Sequence, residues 1–305
     1  DMYVPRIWKT RRSRDIYHTS PYFGNRSAVA ELYRNRESNP RRSVVLPVVF
    51  YNIYIPHDEP QRALEIVREQ LVQVSKALIG NHDNVPSIYY NTIGDGEALS
   101  ELEMNQFCRG LHCQLLNQYE KGDEGLTLHA LYNHCERHDD DRVVYLHSKG
   151  SYHDNKVNAA WRRALTAAAL HPDCWNPPQS SCNVCGLQFF TMFTFFWPGN
   201  MWAADCSYVR QLIPPREYAV RREVAVTRFL LLRLSGYMKS RLLRDRRDYF
   251  GLDRYNAEHW IGSRPDLQPC HMEPTGSLNS VFRRRGVVAA DNDNDSFEWS
   301  MGPRH

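Results

Sequence analysis

The sequence predicts an α/β protein built on a mostly parallel sheet flanked by helices. Two observations carry that class. Ser43–Ile55 is an apolar run rich in β-branched residues, as suits a strand buried on both faces. Beyond it, strand and helix signals alternate up to Leu146, and parallel strands joined in this way require right-handed crossovers. A chain of 305 residues with 42% hydrophobic and 12% aromatic content also has the material for a sizeable core.

Each element follows from local chemistry. Pro47 predicts a bulge or break in the first strand, because it brings no amide hydrogen to a ladder. Pro60 marks a helix start. Ala63, Ile66, Val67, Leu71, Val74 and Leu78 then recur at helical spacing until Gly80. A second strand, Pro86–Ile93, stops at the turn signal Gly94-Asp95-Gly96. An acidic loop caps a helix over Leu126–Arg137, and Arg142–Leu146 is the third strand. An Ala-rich helix, Ala159–Leu170, is stopped by Pro172. Leu187–Trp197 is an aromatic run that must be buried on both faces or line a cleft. Pro214-Pro215 ends a helical turn, and Arg221–Arg247 reads as a long basic amphipathic helix with nine Lys/Arg. Its charged face suits water, or else an anionic membrane surface or an acidic polysaccharide. The organisation predicted is a basic N-terminal extension over 1–42, one α/β domain over 43–281 and a flexible C-terminal tail over 282–305.

Charge narrows the partners. Residues 1–42 hold ten Lys/Arg against four acids, leaving 28 bases and 31 acids for the rest. The body is therefore slightly acidic, and no nucleic-acid partner is implied. Eight cysteines allow four disulfides in an oxidising compartment. The other readings are free thiols and, behind both, zinc, for which Cys182-x-x-Cys185 is the one tight pair and no second CxxC exists. Two glycosylation sequons, at Asn25 and Asn294, fit a secretory-pathway chain. No apolar run approaches the ~20 residues of a membrane span. The chain opens on Asp1 without a signal peptide and so reads as an excised segment, with room for a membrane anchor upstream.

The chemistry concentrates where the third strand ends. Val143-Val144-Tyr145-Leu146 runs straight into His147, Ser148, Lys149 and Gly150. In open parallel sheets, ligands bind outside the carboxyl ends of strands, and Asp95 and Glu97 follow the second strand in the same way. An imidazole, an amine and acids on one rim suit a phosphate-bearing, hydroxyl-rich ligand, and Gly150 lets backbone amides approach it. The competing reading makes Lys149 a solvated loop residue and His147 a half-buried structural one.

The stretch LHSKGSYHDNKVNAAWRRAL resembles the [Y/L]-H-[S/T]-K block, with its following Trp-Arg helix, of rhamnan-synthesis-type and related capsular polysaccharide glycosyltransferases. FWPGNMWAA, Phe196–Ala204, is similar to their F-x-G-[T/N]-M-[F/W]-W-A segment, followed by a helix at Tyr208–Leu212. Ala257–Ile261 looks like their late acidic-aromatic segment. Over residues 44–270 the resemblance implies a GT-A-like, Rossmann-type fold with a nucleotide-sugar across the sheet's carboxyl edge.

It also implies roles. His147, Ser148, Lys149 and Gly150, with Asp95 and Arg162 (or Arg163), would seat the donor diphosphate. Gly199, Asn200, Met201 and Trp202 would form a tight turn presenting an amide and an indole to the acceptor. Asp205 or Glu258 would be the catalytic base, Asp205 having a helix N-cap as its other reading. The sequence departs from the pattern in one place. His147-Ser148-Lys149 stands where most such enzymes carry Asp-x-Asp with a divalent metal (Mn or Mg). The chain's own Asp139-Asp140-Asp141 precedes the strand, at the opposite edge. No metal site is assigned, and Lys149 would supply the charge on the leaving diphosphate. The expectation is a glycosyltransferase moving a sugar from a nucleotide donor to a glycan or protein hydroxyl, in the Golgi or secretory lumen or outside the cell. The alternative is a non-catalytic glycan-binding or structural protein that retains the scaffold.

Overall fold

The apolar run that opens the domain forms strand β1, Val48–Ile55, with Pro47 immediately before it. The structure is a computed structural model that describes residues 46–79, 85–151, 156–177, 182–187, 189, 196–233, 252, 255–274 and 299–301. Helix α1, Pro60–Leu78, has proline in its first turn and buries the predicted stripe of Ala63, Ile66, Val67, Leu71, Val74 and Leu78. Strand β2 is Ser87–Gly94. Helix α2, Glu101–Phe107, begins with a capping box between Ser100 and Glu103. Strand β3, His112–Tyr119, leads to helix α3, Gly125–Cys135, and β4, Arg142–His147. Then come helices α4, Lys156–Ala169, and α5, Pro172–Trp175, and strands β5, Val184–Gly186, and β6, Trp202–Asp205. Helices α6, Cys206–Val209, α7, Pro215–Arg233, and α8, Asn256–Trp260, precede strands β7, Pro269–Pro274, and β8, Trp299–Met301.

The strands form one sheet in the order β3-β2-β1-β4-β6-β5-β7-β8. β3, β2, β1 and β4 are mutually parallel, β6 runs antiparallel between β4 and β5, and β7 is parallel to β5. The order reverses between β1 and β4, the switch point at which doubly wound sheets hold ligands. Alternate residues of β1 serve the two faces. Val49, Tyr51, Ile53 and Ile55 pack with α1, α2 and α4, whereas Phe50 packs with Leu128 and Leu131 of α3 and with Trp202 and Trp260. Both faces are thus covered, which is why β1 reads as a continuous apolar run.

Several expectations are corrected. β3 lacks an apolar run because it is an edge strand with half or more of its residues exposed. The segment after the Gly199-Asn200 turn is a central strand, β6, before any helix begins. The long basic helix starts at Pro215, six residues before Arg221, since proline at a first helical turn costs no hydrogen bond. Its part beyond Arg233 lies outside the described residues, as do the extension 1–42, both sequons and most of the aromatic run. Leu187, Phe189, Phe196 and Trp197 of that run are buried. Within the tail expected to be flexible, Trp299–Met301 pairs antiparallel with β7.

All eight cysteines are paired, as Cys108–Cys113, Cys135–Cys206, Cys174–Cys185 and Cys182–Cys270. Cys182 and Cys185 go to different partners, which overturns the zinc reading. Four disulfides indicate folding in an oxidising, extracellular or secretory compartment. Among the described residues no helix is long and apolar enough to cross a membrane.

Cys135–Cys206 ties the end of α3 to the start of α6 across 71 residues of chain. Removing that cross-link from the unfolded state lowers stability, so the Cys135→Ser/Cys206→Ser variant is expected to lose about 2–5 kcal/mol. Equilibrium denaturation in urea would measure it; a loss below about 1 kcal/mol would show the bridge to be energetically idle.

Candidate functional site

The carboxyl ends of β1, β2 and β4 meet at the switch point, and the turn that leads into β6 joins them. Antiparallel pairing sets Tyr145 opposite Trp202 and Arg142 opposite Asp205, so the start of β6 lies beside the end of β4. There His147 Nε2 donates to the Gly199 carbonyl at 2.7 Å. The two sequence blocks, some fifty residues apart, are thereby joined by a hydrogen bond. A carbonyl only accepts, so this contact fixes the proton on Nε2.

The loop after β4 is held from below. The Ser148 amide donates to the Asn52 carbonyl at 3.0 Å, and its hydroxyl accepts from the Tyr54 amide at 2.8 Å. Ser151 N closes a turn onto the Ser148 carbonyl, with Gly150 at φ 93°, a region that L side chains avoid. Ser148 is buried and acts on the loop's shape. Lys149 is half-buried, with its Nζ 5.9 Å from the centre of the Trp161 ring. No ion pair engages that ammonium among the described residues. The Asp95 carboxylate, after β2, is likewise without a partner there, while its amide donates to the Ile55 carbonyl.

Arg162 occupies a different place from the one expected. Its guanidinium makes a two-pronged pair with Glu69 at 2.9 and 3.2 Å and donates to the Lys149 carbonyl at 2.9 Å. A buried guanidinium neutralised in this way braces the loop and has no charge to spare for a diphosphate. Beneath it Gln70, fully buried, binds the Tyr51 hydroxyl, the Thr166 hydroxyl and the His147 carbonyl. A second row links Asn91, Thr127 and Asn52 across β2, α3 and β1.

The tight turn lies two residues earlier than expected, at residues 197–200, closed by Asn200 N to the Trp197 carbonyl at 2.9 Å with Gly199 at φ 87°, and Trp202 already belongs to β6. Its expected role as an acceptor platform is corrected. Asn200, Met201 and Trp202 are all 0% exposed, because β6 is central and covered on both faces. The Trp202 indole donates to Asn200 Oδ1, and the Asn200 amide donates to Glu124 Oε2 at 2.6 Å. Asn200 holds φ 47°, unusual outside glycine.

The acidic candidates separate. Asp205 sits at the opposite edge of the sheet, bound to Arg142 at 2.5 Å, and makes no side-chain cap to α6. Asp139 and Asp141 share that edge, paired with Arg210 and His134. Glu258 lies on α8, whose neighbouring His259 packs against Phe196 and whose Trp260 packs against Trp202. Besides Asp95, a carboxylate that the sequence reading missed, Glu124, reaches the rim. It occupies the N-cap position of α3. Its Oε2 accepts from Asn200 and from the Tyr145 hydroxyl at 3.2 Å, and its Oε1 lies 3.6 Å from His147 Nδ1. The missing signal was β3: once HCQLLNQY is a strand, GDEG stands at a strand's carboxyl end.

A divalent cation does not fit the end of β4. An ammonium stands at Lys149, the Ser148 hydroxyl is engaged, and no group of three His, Cys, Asp or Glu gathers among the described residues.

Fold and site together define an α/β protein whose mostly parallel sheet carries a polar rim at its switch point. The chain belongs to the family described as "Domain of unknown function (DUF8361)", which it matches over residues 50–305. A comparison with curated proteins finds no match.

Burial sets the protonation of two histidines. It pushes the pKa of His147 below the usual 6.5, against the opposing pull of Glu124, and that of His259 well below, aided by nearby Arg222. Protons therefore bind the unfolded chain first, so stability is full above pH 6.5 and declines as pH falls beneath it. The unfolding free energy is expected to drop between pH 7.5 and pH 5.5, and less so in His259→Gln. An equal drop in the variant would remove His259 from the account.

Proposed function

We propose that the rim binds a nucleoside diphosphate-sugar and that the protein is a glycosyltransferase of GT-A-like fold. One observation carries the reading: the HSKG loop and the WPGN turn, the two blocks of the resemblance, share one rim through the His147–Gly199 hydrogen bond. Support also comes from the β3-β2-β1-β4 order, whose switch point opens at this rim. Lys149, held through its carbonyl by Arg162 and free of acidic partners among the described residues, is the diphosphate's counter-charge. The acceptor is a glycan or protein hydroxyl. Four disulfides suit a luminal or extracellular site of action. On α7, exposed Val220 and Val224 are interleaved with exposed Arg221 and Arg228, a face that suits contact with an anionic membrane surface.

A second reading rests on the corrected turn. Burial of Asn200 and Trp202 leaves the acceptor without its expected platform, which favours a non-catalytic binding or structural protein built on the same scaffold. Hydrolysis of UDP-glucose, UDP-N-acetylglucosamine or GDP-mannose without acceptor separates the two, since a binding module turns over none.

Titration calorimetry with UDP and GDP is expected to give binding that survives EDTA. Lys149→Ala is expected to weaken it about tenfold or more, the worth of one charge-assisted phosphate contact. Binding abolished by EDTA would overturn the metal-free seat; binding unchanged in Lys149→Ala would move the diphosphate elsewhere.

A further inference from the structure

Glu124 is built differently from the other acids of the rim. One oxygen, Oε2, is clamped between the Asn200 amide and the Tyr145 hydroxyl, at 2.6 and 3.2 Å. The other, Oε1, faces His147 Nδ1 at 3.6 Å, too long for a hydrogen bond. Since Nε2–H is committed to Gly199, the neutral ring turns a lone pair on Nδ1 towards Oε1. Two acceptors therefore converge on one gap, and no hydrogen-bond donor stands between them among the described residues. The His147 and Glu124 side chains keep 14% and 23% of their surface exposed, so the pair is not sealed from solvent. Asn200 adopts a left-handed backbone to deliver its amide here, and backbone strain of this kind marks sites at which position matters.

We propose that Glu124 is the base of the transfer, resting on the reading of the rim as a glycosyltransferase site. The carboxylate, pre-oriented by Asn200 and Tyr145, takes the acceptor hydroxyl's proton on Oε1. That hydroxyl's oxygen forms its bond to the donor's anomeric carbon. The bond from that carbon to the diphosphate oxygen breaks, and its electron pair leaves with the nucleoside diphosphate beside Lys149. Attack opposite the leaving group inverts the anomeric configuration. Asn200, Tyr145 and His147 are positioning residues, and the base is not Asp205, which Arg142 holds at the far edge. The substrate implied is one whose reacting group brings a proton to the gap, as a glycan or protein hydroxyl does.

The test is Glu124→Gln in the full chain, because an amide oxygen still accepts from Asn200 and Tyr145 and keeps the turn in place. Sugar transfer from UDP-glucose, UDP-N-acetylglucosamine and GDP-mannose is measured to methyl glycosides and, separately, to azide, which carries no proton to remove. Transfer to hydroxyls is expected to fall about 100-fold or more, the usual worth of a general base. UDP and GDP binding and transfer to azide are expected to stay within about threefold of wild type, the difference from a full general-base loss. Hydroxyl transfer within a few-fold of wild type overturns Glu124 as the base and leaves the glycosyltransferase reading standing. Equal loss with azide also overturns it, making Glu124 structural. Wild type that transfers from none of the donors removes the reading and the base together. If Glu124→Gln does not fold, Glu124→Asp is read in the same way, with a fall of tenfold or more for hydroxyls alone expected from the withdrawn oxygen.

Discussion

The antiparallel entry of β6 beside β4 is the constraint on which the rest depends. Were β6 parallel, its start would lie at the foot of β4, and Gly199 and Asn200 would never meet His147. Reversed, the strand delivers its entering turn to the carboxyl rim. The His147–Gly199 hydrogen bond, the Asn200–Glu124 bond and the Tyr145–Glu124 bond all follow from that direction. The same reversal sends Asp205, at the end of β6, to the far edge, where Arg142 takes it.

Buried polar groups under the sheet's carboxyl edge are joined in side-chain networks. Gln70 reaches from α1 to a tyrosine, a threonine and the backbone of β4. Asn52, Thr127 and Asn91 tie β1 and β2 to α3. Arg162 and Glu69 neutralise one another while holding the Lys149 carbonyl. These contacts lie directly under the rim, so the groups above them keep their geometry without loops of their own to order. Rigidity below and unspent donors and acceptors above is the combination a site requires.

The division of charge along the rim is consistent with that logic. Lys149 rests over Trp161, on the face covered by α4. Glu124 stands on the face covered by α3, with His147 close to it. An anionic leaving group and a proton-bearing acceptor would thus approach from different faces of one sheet end. The burial of Trp202 removes the sugar platform from this picture and moves the catalytic interest to a carboxylate.

Much of the scaffold was legible in the sequence. β1, α1, β2, α3, β4 and α4 lie within a few residues of their expected bounds, because long apolar runs and helical stripes record burial directly. The loop His147–Gly150 was legible as a rim for the same reason: a strand followed by polar groups has only one place to put them. What only the tertiary structure decided is pairing. β3 is too exposed to show a pattern, and without it Glu124 was merely a helix cap. Partner choice turned Arg162 into a brace, Trp202 into core and the Cys182/Cys185 pair into two separate disulfides. Residue type and spacing state what a side chain is able to do. The direction of one short strand, set by contacts far apart in the chain, determined which of them meet.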